Sequence, residues 1–342
     1  MPQRCIVIGA SAGGFKVLVD LVSRLPADLP VPVFIVMHVP AHEPSYLPQI
    51  LSNAGPFRAG HPKDATKIEA GVIYIAPPDH HLLIDDSHVA VKKGPKENGF
   101  RPSIDALFRS AAYSYGPGAI GVVLSGALHD GTSGLWTIKR LGGMAIVQDP
   151  DEAEYASMPR SALEYVEADY KVPSKEIATL LKRLAQDELT HEAYIRTDDE
   201  EGFERRIAKE VQIAAGTSIS QKTVLELGEL TPFTCPECYG SLIRITEGKL
   251  SRFRCHTGHG FTEDALLEKA MQFVGQKMWQ ITRSLQEIEI LLEHMAQHIR
   301  DVGDPARAEK FFAKARELEK QATYFQQMAV EHKNLSEQPP ED

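Results

Sequence analysis

Cysteine is scarce, with four in 342 residues, and a disulfide-stapled scaffold is thereby excluded. Positive charge is in deficit. Lys and Arg number 37 against 47 Asp and Glu, a formal balance of 37 − 47 = −10. A general polyanion binder is not expected, because phosphate backbones are held mainly by Lys and Arg. Long apolar runs are also missing. The longest, such as VPVFIVM at 31–37, fall far short of the roughly 20 residues needed to span a bilayer. The N-terminus lacks a basic stretch followed by a long apolar one, so no signal peptide is expected. A cytoplasmic protein is the expectation, with no nucleic-acid partner and no direct membrane insertion. What is present is 43% hydrophobic and 25% charged, a globular balance. The length allows two or three domains at roughly 100–200 residues each.

The scarce features are unevenly placed. Residues 1–190 carry 18 positive and 21 negative groups, a balance of −3, and residues 191–342 carry 19 and 26, a balance of −7. Cys5 stands alone near the start, while Cys235, Cys238 and Cys255 share one short stretch.

The first half alternates between two patterns. Short apolar runs at Cys5–Ile8, Val31–Val36, Val72–Ile75, Ile120–Leu124 and Ala145–Val147 read as strands. Helical spacing is expected over Phe15–Leu25, Ser45–Asn53, Ser103–Tyr113 and Ser133–Leu141. Alternating runs at Leu82–Ile84 and Val89–Val91, joined by Asp85-Asp86-Ser87, read as a hairpin. Continuous apolar strands separated by helices predict an α/β fold, a doubly wound and mostly parallel sheet covered on both faces.

Further along, residues 186–230 are polar and acidic and read as a connector, and 231–262 as a compact cysteine-bearing module. From Glu263 the pattern is helical. Met271, Met278, Leu285, Leu292 and Ile299 recur every seven residues, with Val274, Ile281, Ile288 and Met295 three later. After a break at Gly303 and Pro305 a second series follows: Phe311, Ala315, Leu318, Ala322, Phe325, Ala329. Two heptad helices joined by a short break predict an antiparallel helical hairpin over 263–335, a coiled-coil surface for self-association or a signalling partner. Residues 336–342 are expected to be a disordered tail.

Gly9-Ala10-Ser11-Ala12-Gly13 follows the first strand and opens a helix, the setting of a G-x-S-x-G nucleophile elbow. Small neighbours permit the sharp turn that exposes the Ser11 hydroxyl. The turn also directs the helix-opening amides, Ala12 and Gly13 among them, toward a developing oxyanion. A dinucleotide-binding loop is the rival reading. It wants Gly where Ser11 stands and an acidic residue closing the second strand, where His38 is found. Serine needs a base. Reactive side chains in an open parallel sheet collect at the carboxyl ends of strands. His38 ends the second strand, and Asp130 lies in the loop that follows Ile120–Leu124. Ser11, His38 and Asp130 are therefore expected to converge as nucleophile, base and orienting carboxylate.

The strings GASAGG, MHVP, YIAPPDHH, RPSID, LSGALHDGTSG and MPRSA, spread over nearly all of residues 3–183, come in the order found in the catalytic domain of CheB. The chain thus resembles the chemotaxis protein-glutamate methylesterases. That resemblance implies a 1–185 methylesterase domain that hydrolyses glutamate γ-methyl esters, and deamidates glutamine, on the cytoplasmic helices of chemoreceptors. It implies no cofactor for catalysis, and carries over Ser11, His38 and Asp130. Arg101 of RPSID and Arg160 of MPR become substrate-contact candidates. Ala12 replaces a common Thr, and Ala127 replaces the Met that lines the oxyanion region. The receiver domain common in the family has no counterpart ahead of Cys5, so activity is expected to be constitutive or controlled by another partner. A catalytically weak regulatory scaffold and a nucleotide-binding module are the alternative functions.

Cys235-Pro236-Glu237-Cys238, followed by Cys255 and His259, has the spacing of a structural Zn²⁺ site with three thiolates and one imidazole. The residues between read as a small zinc ribbon, too short to fold on its own apolar core.

Overall fold

The structure, a computed structural model, describes residues 3–187, 198–217 and 220–337. Part of the expected connector, at 188–197, and the tail at 338–342 lie outside the described residues. The described residues divide into two compact units, Met1–Leu266 and Leu267–Asp342.

The β-branched runs of the first half become strands, and the amphipathic segments between them become helices. In chain order these are β1 (Cys5–Ala10), α1 (Gly14–Arg24), β2 (Val33–Met37), α2 (Leu47–Ala54), β3 (Arg58–Gly60), β4 (Thr66–Lys67), β5 (Val72–Ile75), β6 (His81–Asp85), β7 (His88–Lys92) and α3 (Ile104–Tyr115). There follow β8 (Ala119–Val123), α4 (Thr132–Arg140), β9 (Met144–Gln148), α5 (Ser157–Tyr165), β10 (Tyr170–Val172) and α6 (Ser174–Gln186). Seven strands form one sheet in the order β10-β9-β8-β1-β2-β5-β3, and every pair in it is parallel.

Alternation along each strand builds two cores. Ile6 and Ile8 of β1 with Val33 and Ile35 of β2 pack under Leu18, Leu21 and Val22 of α1 and Ile177 and Leu181 of α6. Cys5, Val7, Phe34 and Val36 face the other way, against Leu107 and Phe108 of α3 and Leu135 and Ile138 of α4. β6 and β7 form the expected hairpin and pair with β4 as a separate small sheet. Because β1 has β2 on one side and β8 on the other, the loops leaving β1 and β8 part at the sheet centre. This is the switch point where α/β sheets place ligands.

The same unit contains α7 (Asp198–Ala214), α8 (Gln221–Leu225) and an antiparallel sheet of β11 (Glu229–Thr234), β12 (Ser241–Glu247), β13 (Leu250–Cys255) and β14 (Gly260–Thr262). α7 falls in the expected connector but buries Ile207, Glu210, Ile213 and Ala214. Three guanidinium groups, of Arg109, Arg252 and Arg254, and three carboxylates, of Glu97, Glu210 and Glu247, are buried together. Arg252 Nη2 donates to Glu210 Oε2 at 2.8 Å and to Glu247 Oε1 at 2.6 Å, and Arg109 pairs with Glu97. The charges balance, as buried ions require.

The second unit takes in all but the first four residues of α9 (Glu263–Asp301), and α10 (Pro305–Glu337). These helices are joined at Gly303, which has φ +99°, and Asp304, whose carboxylate accepts the Arg307 N–H at 3.0 Å. Arg300 lies over the Phe312 ring at 5.3 Å, and His332 Nε2 donates to the Met271 carbonyl at 2.7 Å. Ala308, Ala315, Ala322 and Ala329, seven apart, are buried. The α9 seam differs from the expected one. Thr282 and Ala296 are buried, with Met271, Met278, Leu285, Leu292 and Ile299 half-buried, whereas Val274, Ile281, Ile288 and Met295 are exposed. A single partner helix covers only one side of a heptad face. No helix among the described residues is long and apolar enough to cross a membrane.

Candidate active site

Ser11 sits where β1 ends and α1 begins. Its N–H donates to the Ser125 carbonyl at 3.0 Å, and its own carbonyl accepts the Gly14 N–H at 3.0 Å. The turn closes through Gly13 at φ +71°, where a Cβ would approach Glu154 Cβ and Ser125 Oγ to 2.8 Å. Only glycine combines that conformation with that space.

β2 delivers His38 and the loop after β8 delivers Asp130. His38 Nδ1 lies 3.1 Å from Ser11 Oγ, and Nε2 lies 2.9 Å from Asp130 Oδ2. Asp130 is fully buried and is embraced by donors. Oδ2 also accepts the Ile104 N–H at 2.7 Å, while Oδ1 accepts from Ser103 Oγ at 2.9 Å, Asn98 Nδ2 at 3.1 Å and the Asp105 N–H at 3.3 Å. The amides belong to the first turn of α3, whose partial positive charge favours an anion. Burial opposes ionisation of Asp130, but the hydrogen bond and charge of His38 and these donors outweigh it and hold the carboxyl at about 2. An acceptor-only carboxylate keeps the imidazole proton on Nε2, which leaves Nδ1 free to accept the Ser11 hydroxyl proton. In the chymotrypsin arrangement the two nitrogens have the opposite assignments. Here the base arrives from a neighbouring strand end, and either nitrogen serves.

Several contributors went unrecognised in the sequence. Phe100 stacks on His38 with ring centroids 3.8 Å apart and 6° between planes. Asn98 bridges Asp130 and Asp105. Asp105 accepts the Gly131 and Gly134 amides at 3.0 and 2.6 Å, and so fastens the loop that carries Asp130. Burial, and then the charge of Asp130, push Asp105 up to about 8. Ser103 and Asp105 lie inside the RPSID string, and Asn98-Gly99 is a turn dipeptide, so the signals existed.

The remaining candidates are spread. The carbonyl of Ala12 accepts from Ser125 Oγ at 3.0 Å. Ala127 is half-buried between Gly126, whose missing Cβ leaves room for Ser11 Cβ and Met158 Sδ, and Leu128, at φ +68°. Arg101 is engaged elsewhere. Its Nε and Nη2 donate to Asp79 Oδ1 at 2.9 and 2.6 Å, and Nη1 to the Gly94 carbonyl at 2.6 Å. Arg160 is exposed on α5.

In the module, Cys235, Cys238, Cys255 and His259 bring one donor atom each within 4.8 Å of one another. Cys238 Sγ is 3.6 Å from Cys255 Sγ, and His259 Nδ1 is 3.8 Å from Cys235 Sγ and 3.5 Å from Cys255 Sγ. Four ligands about 2.3 Å from a tetrahedral ion would be separated by roughly such distances, so the donor set could hold a metal ion. The hydrogen bond with Cys235, opposed by burial and helped by His259, draws the Cys255 thiol well below the usual thiol range. The thiolate is the form in which cysteine binds a metal ion.

Comparison with known proteins identifies the family. The family described as CheB methylesterase matches residues 6–181. A Leptospira interrogans protein named for protein-glutamate methylesterase and protein-glutamine glutaminase activity is 40% identical over 190 residues, 55% of this chain and 98% of that relative. A like-named protein of Anaeromyxobacter dehalogenans is 38% identical over 161 residues, 46% of this chain and 47% of its own length. The crystal structure of the Thermotoga maritima CheB methylesterase catalytic domain matches with a TM-score of 0.51 and 32% identity, covering 53% of this chain and 98% of that domain. The chain belongs to the CheB methylesterase family.

Proposed function

We propose that the protein hydrolyses glutamate γ-methyl esters on the cytoplasmic helices of chemoreceptors, releasing methanol, and deamidates glutamine at the same positions. The observation that carries this reading is the hydrogen-bonded line from Ser11 through His38 to Asp130, at 3.1 and 2.9 Å, in a chain of this family. Ser11 Oγ attacks the ester carbonyl carbon while His38 Nδ1 takes its proton. Asp130 stabilises the imidazolium that forms. Backbone amides at the α1 start, those of Ala12 and Gly13, are assigned to the oxyanion, with Ala127 on the wall beside them. The tetrahedral intermediate collapses as the imidazolium protonates the departing methoxide. Water then attacks the glutamyl-serine ester with His38 again as base, returning glutamate and free Ser11. Glutamine follows the same course, with ammonia leaving. Arg160 is assigned to the acidic surroundings of the substrate. Arg101 acts through Asp79 as a support. Such work places the protein in the cytoplasm.

The 231–262 segment is assigned as a zinc ribbon holding a structural Zn²⁺ through Cys235, Cys238, Cys255 and His259, and 263–335 as an antiparallel helical hairpin. The hairpin has a surface for a second copy. Leu267, Val274, Ile281, Ile288, Met295 and Val302 are spaced seven apart and are all exposed, and the residues between them on that side include a single charge, Lys277. A straight apolar seam of that length is matched by an equal helix, which another copy supplies. Sedimentation of an Ile281→Glu, Ile288→Glu double variant tests this. A dimer reduced to monomer is expected, and an unchanged mass contradicts the assignment.

Mass spectrometry of a methylated receptor after incubation with the protein tests the activity. Conversion of esterified glutamate and of glutamine to glutamate at receptor sites is expected. A receptor left unaltered at both contradicts the reading.

A further inference from the structure

One turn joins the cysteine-bearing module to the proton-relay residues. Glu97 and Phe100 pair across a two-residue loop, with the Glu97 N–H donating to the Phe100 carbonyl at 3.2 Å and the Phe100 N–H to the Glu97 carbonyl at 2.8 Å. Asn98 at φ +52° and Gly99 at φ +81° give this loop the twist of a type I′ hairpin turn. On its inner side the turn presents the Asn98 amide to Asp130 and the Phe100 ring to His38.

Its outer side belongs to β14. The Asn98 N–H donates to the Gly260 carbonyl at 2.7 Å, the Gly260 N–H to the Lys96 carbonyl at 3.2 Å, and the Thr262 N–H to Asn98 Oδ1 at 2.8 Å. The last bond decides which way the amide points. With Oδ1 held by Thr262, the NH2 group must face the two carboxylates of Asp105 and Asp130. Released, the amide could turn its oxygen toward them. Glu97 is fixed as well. Its carboxylate is bound by Arg109 and by Arg254 Nη2 at 3.1 Å. Arg254 Nη1 donates to the Gly258 carbonyl at 2.7 Å, inside the Cys255–His259 loop, and Gly260 follows His259 directly. A further contact, from His129 Nε2 to Asp264 Oδ2 at 3.5 Å, ties the Asp130 loop to the residues just beyond β14.

We infer that the cysteine-bearing module is a working part of the hydrolase: by gripping the 97–100 turn it sets Asn98 against Asp130 and Phe100 against His38, so that metal occupancy of the Cys235, Cys238, Cys255 and His259 cluster governs the rate of the Ser11 reaction. This rests on the hydrolase reading above and adds a control to it. Asn98 is a positioning residue. The donor it offers to Asp130 also favours the ionised carboxyl.

Two experiments on the full chain test the coupling. In the zinc-loaded protein, Asn98→Gly keeps the positive φ and removes the amide. Loss of a hydrogen bond to a charged group is expected to lower kcat about tenfold to a hundredfold with KM unchanged. The acid limb of the kcat profile should move to higher pH as Asp130 loses a donor. A kcat within twofold of wild type and an unmoved profile overturn the assignment of Asn98. In the second experiment the zinc is stripped with a chelator, metal content is measured, and hydrogen exchange is followed at the Asn98, Gly260 and Thr262 amides. Labelling of Ser11 by a fluorophosphonate is followed alongside. Loss of protection at the three amides and a labelling rate about tenfold or more slower, both restored by Zn²⁺, are expected for a governing site. A chain that binds no zinc, or a stripped chain that keeps its protection and its labelling rate, overturns the coupling. Labelling reads Ser11 reactivity whatever the substrate, so absence of methanol release in a chain that labels normally counts against the ester assignment instead.

Discussion

Asp130→Asn replaces one oxygen by an NH2 group in a pocket made of donors, and the structure fixes the consequence. Oδ2 faces His38 Nε2 and the Ile104 N–H, while Oδ1 faces Asn98 Nδ2, Ser103 Oγ and the Asp105 N–H. With NH2 at the Oδ2 position, His38 must move its proton to Nδ1, and it then points a donor at Ser11 where an acceptor is needed. With NH2 at the Oδ1 position, the Asn98 amide and the Asp105 N–H lose their acceptor in a buried site. The first arrangement disables the base and orphans one donor, the Ile104 N–H, whereas the second orphans two, at a cost of about 1–3 kcal/mol per orphaned donor. The first is therefore favoured. The corresponding tautomer error in a serine protease lowers kcat by about 10⁴, or about 5.5 kcal/mol of barrier, and a similar loss is expected here. The assay is initial-rate methanol release from a methylated receptor, with urea unfolding of the same variant to verify that it folds. A folded Asp130→Asn protein within tenfold of wild-type kcat would refute the reasoning, because the proton on Nε2 would then not depend on the carboxylate.

Other outcomes follow from the same contacts. Glu210→Gln leaves Arg252 and Arg254 without a full share of their buried counter-charge, and a loss of about 3–5 kcal/mol in urea unfolding is expected; a loss below about 1 kcal/mol would contradict the placement of that network. Asp130 and Glu97 both have folded values of about 2, below their unfolded ones, so each stabilises fully above about pH 5 and the contribution fades as pH falls toward 2, by about 2 kcal/mol for Asp130. Asp105, held up at about 8, works in the opposite direction and withdraws stability progressively as pH rises from about 4, the ordinary carboxyl value, to about 8. Urea midpoints measured from pH 3 to 9 should therefore be highest between about 4 and 5 and fall toward pH 8, and a midpoint that peaks at neutral pH or keeps rising to either extreme would be inconsistent. Gly13→Ala forces a Cβ to 2.8 Å from Ser125 Oγ and Glu154 Cβ at φ +71°. A cost of about 1–2 kcal/mol and a fall in kcat are expected, and an unaffected kcat would show that the turn does not set the Ser11 position.

The site was legible where chemistry coincides with topology. Ser11, His38 and Asp130 each end or follow a strand of continuous apolar residues, and parallel strands gather such positions at one sheet edge. The long helices were equally plain, since a seven-residue repeat survives in any reading frame. Short edge strands were not. β3, β4 and β10 contain two or three residues each, too few for any period to show. α6 did carry its stripe, Ile177, Leu180, Leu181 and Leu184, in the sequence. What periodicity could not reveal was long-range pairing. Glu97 and Arg254 are 157 positions apart, and the acidic segment around Glu210 reads as solvated until Arg252 is brought to it. The same holds for Asn98, a turn residue in sequence that the fold shares between Asp130 and Thr262. The α9 sequence carries a seven-residue repeat, but a repeat does not say which of its flanks the partner helix takes, and half of the expected seam is exposed.

The central claim is that Ser11, activated by His38, opens a receptor methyl ester. Its most direct test is methanol release from a methylated chemoreceptor by the wild-type chain and by Ser11→Ala at equal concentration. Methanol from the wild type and none above background from Ser11→Ala is the expected result. Equal release by both, or none by either, would contradict it.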